Sequence, residues 1–226
     1  WAREGGAVEA VVRSAVQGRG NAASYALYTE VLAQGRGLRF ASETEHQNWV
    51  KAVLTAFDRY RLLCAVREGD WGVAGLNRAI EAQLHQRGAI RKDGEWYMGR
   101  PVMVTRNDAQ LGVFNGDIGM ALSSFADPAR LRVYFLQGDQ LHHVSTARLA
   151  HVETAFALTV HKSQGSEFEH TALVLSKQGG SVLSRELVYT GITRARKAFS
   201  LWSEVPGLLG SAMGSPTQRS SGLLGF

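Results

Sequence analysis

Short, continuously apolar runs constrain the fold of this chain more than any other feature. They read RLLCAV at 61–66, AFALTV at 155–160 and TALVLS at 171–176, and a further strand-like run, AFSLWS, follows at 198–203. Runs without polar alternation are typical of strands that are buried on both faces of a parallel sheet. Because helical patterns accompany these runs, the sequence predicts an α/β fold built on a parallel sheet.

Helical patterns flank the first of these runs. In SETEHQNWVKAVLTAFDRY, Ser42 is followed three residues later by Glu45, which is the pattern of a capping box, and apolar residues recur on one face. DWGVAGLNRAIEAQLHQRG predicts a second helix that ends near Gly88. Residues 1–42 have helix-like apolar spacing interrupted by glycines, and they predict a helical lead-in.

Alternating segments follow between residues 94 and 150. RPVMVTR, DIGMALS, LRVYFL and QLHHVS are separated by turn signals such as FNGD, in which Asn115 and Gly116 tolerate positive φ. They predict a small antiparallel barrel or sheet inserted into the α/β layer. The expected division is therefore 1–93 and 151–204 for the α/β domain, 94–150 for the insert, and 205–226 for a mobile tail rich in Gly and Ser.

Charge and composition narrow the class of protein. The net charge is +5 with 20 Arg and 5 Lys, and arginine suits phosphate, although a solvated surface explains this charge equally well. No apolar run approaches the roughly 20 residues that cross a membrane, so we expect a soluble chain. The single cysteine, Cys64, lies in an apolar run, which predicts a buried side chain in a reducing, cytoplasmic compartment.

The stretch TVHKSQGSEF is the first candidate site. It follows the strand AFALTV, and ligands of open parallel sheets gather beyond the carboxyl ends of the strands. The side chains of residues 161–164 and the backbone N–H groups near Gly165 could bind the phosphates of a nucleotide or of a nucleic-acid strand. An ordinary polar loop is the alternative.

The stretch SRELVYTGITRAR is the second candidate site. As one helix, it would carry an apolar stripe formed by Leu187, Val188, Gly191, Ile192 and Ala195. Arg194 and Arg196 would then flank this stripe on opposite sides. Either one guanidinium projects into a cleft, or both arginines cover the core with their aliphatic stems.

Other kinds of site find no support in the sequence. His142 and His143 would point to opposite faces of a strand, so no structural metal is predicted. No Ser-His-Asp arrangement can be argued. No lysine follows a glycine anywhere in the chain, which excludes a phosphate-binding Gly-x-x-x-x-Gly-Lys loop. The chain is therefore not expected to bind a nucleotide alone.

The two candidate stretches together resemble motifs V and VI of superfamily 1 DNA helicases. Their sequences are most similar to those of the RecD family, the alpha subunits of bacterial exonuclease V. RLLCAVREGDWGVAGLNRAIE at 61–81 and WYMGRPVMVTRNDAQLGVFNGDIGMAL at 96–122 precede them in the order found in that family. The resemblance implies a second RecA-like motor domain with an inserted barrel of Src-homology-3-like type. It also implies a first RecA-like domain upstream of Trp1, with the Walker A lysine, the Walker B carboxylates and the ligands of Mg²⁺.

The resemblance further implies an activity and partners. The full-length protein would be an ATP-dependent, 5′ to 3′ DNA helicase of a RecBCD-type recombination-repair nuclease in the bacterial cytoplasm, and this segment alone would be inactive. Its partners would be single-stranded or tailed duplex DNA, RecB- and RecC-like subunits and the upstream RecA-like domain, and its cofactors ATP and Mg²⁺. The alternative is a non-catalytic nucleic-acid-binding or subunit-assembly module.

Residue roles follow from the matched motifs. The arginine of motif VI falls on Arg194 and would reach the γ-phosphate of ATP. The carboxylate of motif V falls on Glu167, which would face the nucleotide, with Gln164 and Gly165 between nucleotide and DNA. The residues expected to meet the single strand are Thr159, His161, Lys162 and Ser163, with Arg67 and Asn77 as further backbone contacts or, alternatively, as structural caps.

Overall fold

The computed structural model describes residues 2–4 and 7–215, which form two five-stranded sheets and the helices packed on them. The helices are α1 (Val8–Gln17), α2 (Ala26–Gly35), α3 (Glu43–Asp58), α4 (Val73–Gln86), α5 (Arg185–Thr193) and α6 (Leu208–Gly214). The strands are β1 (Ala2–Glu4), β2 (Tyr60–Cys64), β3 (Pro101–Val104), β4 (Ile118–Ser123), β5 (Leu131–Gln137), β6 (Gln140–Ser145), β7 (Val152–Thr154), β8 (Ala157–Thr159), β9 (Phe168–Leu175) and β10 (Ala195–Ser203).

The first sheet is parallel and has the strand order β1-β10-β9-β2-β8. Alternate residues of a strand point to opposite faces. Thus Leu62 and Cys64 pack on the side of α1 to α4, whereas Leu63 joins the core beneath α5 and α6. Both faces are covered, which explains the continuous apolar runs and confirms the predicted α/β fold class.

The second sheet is antiparallel, with the order β6-β5-β4-β3-β7. Its strands β3 to β6 coincide with the four alternating segments, and of Asn115 and Gly116 only the glycine has a positive φ, of 101°. The sheet continues past residue 150, where the insert was predicted to end, because β7 pairs with β3. The short run Val152–Thr154 has no apolar alternation that would have revealed this strand.

The helix boundaries follow the local signals in the first half of the chain. The Ser42 hydroxyl accepts a hydrogen bond from the backbone N–H of Glu45 at 3.2 Å. The Glu45 carboxylate accepts one from the N–H of Ala41 at 3.0 Å, one residue earlier than in a standard capping box. Beyond the end of α4, Gly88 has φ of 69°, as the predicted stop requires.

The predicted helix at 184–196 was too long. It ends at Thr193, and Ala195 already pairs with Phe168 as the first residue of β10. Arg194 therefore stands between helix and strand and Arg196 lies on the strand, so their predicted places beside a helical stripe were wrong. Ile192, assigned to that stripe, is 45% exposed.

The tail also contains structure that the sequence did not indicate. Residues 208–214 form α6, and Ala212 of this helix is fully buried in the core under α5. The rest of the predicted mobile tail, residues 216–226, lies outside the described residues. Among the helices that the structure describes, none has the length and apolar character needed to cross a membrane.

Candidate functional site

The segment between β8 and β9 runs along the parallel sheet, from the carboxyl ends of its strands to their amino ends. β8 ends at Thr159, level with the carboxyl end of β2, and β9 begins at Phe168, beside the first residue of β10. Residues 160–163 form a 3₁₀ turn, which shortens the strand predicted at 155–160. Only the start of the segment thus lies at the carboxyl ends of the strands, where ligands of open parallel sheets usually bind.

Side chains of this segment line two different clefts. His161 and Gln164 are one 3₁₀ turn apart and therefore lie on the same side. They border a cleft of about 460 Å³ against Ser184, Glu186 and Thr190 of α5 and its N-terminus, which we call the α5 cleft.

The other side of the segment borders a larger cleft, of about 540 Å³. Lys162, Ser163, Ser166 and Glu167 line it, together with the end of α3 and residues 116–118 of the antiparallel sheet. We call it the sheet cleft. Each cleft is therefore lined by both DNA candidates and nucleotide candidates. The order of the candidates in the sequence, with the DNA candidates before residue 164 and the nucleotide candidates from residue 164 on, does not correspond to the two clefts.

The four DNA candidates of this segment differ in availability. His161 is exposed, and Thr159 is partly buried as the last residue of β8. The Lys162 ammonium donates to the Asn115 side-chain oxygen at 2.7 Å and so joins the segment to the antiparallel sheet. Ser163 is buried, and its hydroxyl donates to the Val160 carbonyl at 2.7 Å within the 3₁₀ turn.

Two of the nucleotide candidates, Arg194 and Glu167, lie side by side at the amino ends of β10 and β9. Their strands are joined by a hydrogen bond of 2.8 Å from the Phe168 N–H to the Arg194 carbonyl. The Arg194 guanidinium donates to the Ser166 carbonyl at 3.1 Å and to the Thr190 carbonyl at 3.4 Å. Both residues thus reach the same edge of the sheet from distant parts of the chain.

The remaining nucleotide candidate, Gly165, lies in open surroundings. Its φ is 84°, and no heavy atom outside its chain neighbours lies within 4 Å of the point that a Cβ would occupy. A side chain at this φ would be strained whatever the space around it. The glycine thus allows the segment to turn toward β9 and leaves its backbone open to a ligand.

Charged side chains of both signs surround this edge. Arg196 donates to Glu167 at 3.3 Å, and Arg59 forms a bidentate pair with Glu169 at 2.9 and 3.1 Å. The hydrogen bonds from Arg59 lower the pKa of Glu169, with a further contribution from Lys197 at 3.6 Å. Sequence reasoning missed Arg59 and Glu169, because no local spacing connects residues so far apart.

The two outlying DNA candidates behave differently. Arg67 is exposed and pairs with Glu153 of β7 at 2.7 Å. Asn77 is buried, and its amide both donates to the Ala157 carbonyl at 3.1 Å and accepts from the Ala157 N–H at 2.9 Å. The structure therefore favours the structural alternative for Asn77, which fixes α4 to β8.

The residues that could hold a metal or act as a thiol nucleophile are few. Within residues 7–215 no three His, Cys, Asp or Glu side chains cluster as metal ligands would. Cys64 is fully buried in β2, and burial raises the pKa of its thiol above the ordinary value. A buried neutral thiol is a poor nucleophile.

Comparison with known proteins connects these features to a family. Residues 154–201, which include every candidate from Thr159 to Arg194, match the family model of the UvrD-like helicase C-terminal domain. Residues 76–135 match the SH3 domain of ATP-dependent RecD-like DNA helicases. The RecBCD enzyme subunit RecD of Haemophilus influenzae is 36% identical over 97% of this chain, and that of Mycobacterium tuberculosis H37Rv is 40% identical over 75%.

The chain is a homologue of the RecD subunits. It covers 32% of the length of the RecD of H. influenzae and 29% of that of M. tuberculosis. The ATP-dependent RecD2 DNA helicase of Deinococcus radiodurans is 38% identical over 62% of this chain and 19% of that protein. Among solved structures, Bacteroides Pif1 bound to ssDNA aligns with 76% of this RecD homologue and 44% of that chain, at 17% identity and a TM-score of 0.37.

Proposed function

We propose that this RecD homologue is the second, RecA-like motor domain of an ATP-dependent DNA helicase that moves 5′ to 3′, and that Arg194 is its arginine finger. The observation that carries the proposal is the meeting of Arg194 and Glu167 at one edge of the parallel sheet, inside the segment that matches a helicase C-terminal domain. Residues that meet in this way from separate motifs can serve one ligand.

The electrostatic state of Arg194 supports this role. Its guanidinium is only partly buried, and its hydrogen bonds go to two backbone carbonyls and the Thr193 hydroxyl. No carboxylate of the described residues pairs with it, whereas the neighbouring Arg196 is paired with Glu167. Its guanidinium could therefore donate to the phosphoryl oxygens, on which negative charge spreads during transfer, without first leaving a carboxylate partner among the described residues.

We propose that Glu167 holds the nucleotide from the sheet cleft, with the backbone of Gly165 beside it, and that Gln164 contacts it from the side of the α5 cleft. Glu167 is exposed in the sheet cleft, where its carboxylate could accept hydrogen bonds from the ribose hydroxyls of ATP. The chain does not fit the Mg²⁺ that accompanies ATP, because Glu167 is already paired with Arg196 and the described carboxylates form no cluster. We propose that residues outside this chain hold Mg²⁺.

The DNA strand would be bound by Thr159, His161 and Lys162, with Arg67 as a more distant phosphate contact. Ser163 could join them only by releasing the bond of its hydroxyl to Val160. The same short segment thus carries DNA and nucleotide candidates on both of its sides. Closing of the nucleotide site would shift this segment and so change the affinity for DNA, which is a coupling of two sites through one element.

The assembly and the cell compartment are proposed from the relatives. Their names place RecD in the RecBCD enzyme. By analogy, the protein that contains this chain would join RecB- and RecC-like subunits in the bacterial cytoplasm and act on single-stranded or tailed duplex DNA. The second candidate function, a non-catalytic binding or assembly module, would use the same surfaces without hydrolysis.

The decisive experiment replaces Arg194 in the full-length protein. We expect Arg194→Ala to lower ATP turnover by about 10³-fold or more, while ATP binding weakens much less, because the finger acts mainly on the transition state. Arg194→Lys should rescue poorly, since an ammonium does not reproduce the planar fork of a guanidinium. Turnover, equilibrium ATP binding and melting temperature are measured for each variant.

The control is Arg130→Ala. Arg130 forms an exposed ion pair with Asp127 on the turn between β4 and β5, away from both clefts. Arg196 is unsuitable as a control because it pairs with Glu167. If Arg194→Ala turned over ATP as fast as Arg130→Ala, the finger would be refuted and the non-catalytic module favoured.

A further inference from the structure

A charged side chain is fully buried beside the residues that line the sheet cleft. Arg61, the second residue of β2, has no exposed side-chain surface and is the largest fully buried side chain among the described residues. A guanidinium in the interior is costly unless its charge and its donors are matched. The partners of Arg61 therefore indicate why an arginine occupies this strand.

The guanidinium of Arg61 has four contact partners. One terminal nitrogen donates to the Asp58 carboxylate at 2.9 Å, and the other donates to the Ala155 carbonyl at 3.3 Å. The guanidinium carbon lies over the ring of Phe57 and over the ring of Phe168, 4.6 and 4.9 Å from their centroids. The Nε atom has no hydrogen-bond partner among the described residues.

These partners belong to three separate segments, two of which line the sheet cleft. Asp58 ends α3 and lines the cleft with 66% of its side chain exposed. Phe168 also lines the cleft and directly follows Glu167. Ala155 lies between β7 of the antiparallel sheet and β8 of the parallel sheet. Arg61 thus ties the end of α3, the start of β9 and the junction of the two sheets to one point.

We propose that Arg61 is a positioning residue for the nucleotide site. By holding the ring of Phe168, it fixes the place of Glu167 in the sheet cleft, and by holding the Ala155 carbonyl it fixes the antiparallel sheet that forms the opposite wall. Arg61 touches no ligand itself, because its side chain has no exposed surface. This inference rests on the proposed role of Glu167 in binding ATP.

A purely structural arginine gives a different expectation. Arg61→Met removes only the buried partner of the ion pair, and Asp58, which is 66% exposed, is not left as a buried unpaired charge. If Arg61 served only the core, a methionine in its place would leave ATP binding unchanged in the folded protein. If Arg61 positions Glu167, ATP binding falls even where stability is retained.

A double-mutant cycle in the full-length protein tests the inference. Arg61→Met and Glu167→Gln are made singly and together, and the equilibrium dissociation constant for ATP and the melting temperature are measured. We expect Arg61→Met to weaken ATP binding about tenfold, since small displacements of a binding group have effects of this order or larger. The double variant should bind ATP no more weakly than Glu167→Gln alone, because both changes act through one carboxylate.

Matched variants complete the test. Arg130→Met removes an arginine from an exposed pair and should leave ATP binding unchanged. If Arg61→Met does not fold, Phe168→Leu replaces it in the cycle, because it removes the ring that connects Arg61 to Glu167. Unchanged ATP binding, or effects that add in the double variant, would overturn the positioning role. Failure of the proposed function is separate, since it is read from the turnover of Arg194→Ala.

Discussion

The two sheets of this protein are assembled from the chain in opposite ways. In the antiparallel sheet, β3 to β6 follow one another both in the chain and in space. In the parallel sheet, β2 lies between β8 and β9, so residues 60–64 pair with strands about 100 residues further along the chain. The candidate site lies where these long-range pairings end. The site therefore depends on the whole parallel sheet, and the antiparallel sheet adds one wall and a few polar bridges.

The largest expected effect comes from the central strand of the parallel sheet. Leu173 of β9 is fully buried, and its side chain approaches Gly191 of α5. Leu173→Ala should lower the free energy of unfolding by about 2–5 kcal/mol, because the removed atoms no longer contribute their burial energy and a cavity is left in the core. Leu136→Ala on the antiparallel sheet, where the side chain is 37% exposed, is the comparison. Denaturant unfolding gives the free energy of unfolding of both variants. An equal loss in Leu136→Ala would contradict the difference between the two sheets.

A second, smaller difference concerns pH. His170 of β9 is buried between the Ala23 carbonyl and the Ser200 hydroxyl, and desolvation by burial lowers its pKa. The unfolded chain therefore takes up a proton at a higher pH than the folded chain does. Stability should fall as the pH drops below the ordinary histidine pKa of about 6.5.

His143 of β6 provides the control for this effect. Its pKa is also lowered, by desolvation and then by Arg132, but its side chain lies on the more exposed antiparallel sheet. Melting temperatures between pH 8 and pH 5 should show a flatter profile for His170→Gln than for His143→Gln. An equal flattening in both variants would show that burial in the parallel sheet is not the cause.

The smallest expected effect concerns the bridge between the two sheets. Arg67 and Glu153 are joined at 2.7 Å, but the arginine side chain is 54% exposed. Arg67→Ala should therefore change the free energy of unfolding by less than about 1 kcal/mol, in line with other surface ion pairs. A much larger loss in denaturant unfolding would mean that the sheets depend on their polar bridges, and the contrast between the two sheets would not hold.

Local signals predicted the parts of the fold that depend on neighbouring residues. The cap at Ser42, the stop at Gly88 and the four alternating strands are all encoded within a few residues. The end of α5 at Thr193 was missed, because it is set by pairing of Ala195 with Phe168 across a distance that no local pattern records.

The same distinction applies to the candidate site. Motif resemblance identified Arg194 and Glu167, and the structure brings their strands together. The pairs Arg59–Glu169 and Lys162–Asn115, and the role of Asn77 inside the fold, required the tertiary arrangement. Side-chain direction in the segment 160–167 also escaped the sequence, because it follows from a 3₁₀ turn that no residue in the stretch specifies.

That turn makes the number of residues between β8 and β9 as important as their identity. Both ends of the segment are fixed in register, Thr159 against Cys64 and Phe168 against Ala195. Neither strand end could shift to accommodate an inserted or deleted residue. Such a change would therefore alter which cleft the following side chains of the segment face. Among homologues that keep this site, the residue types of the segment should therefore vary more than its length.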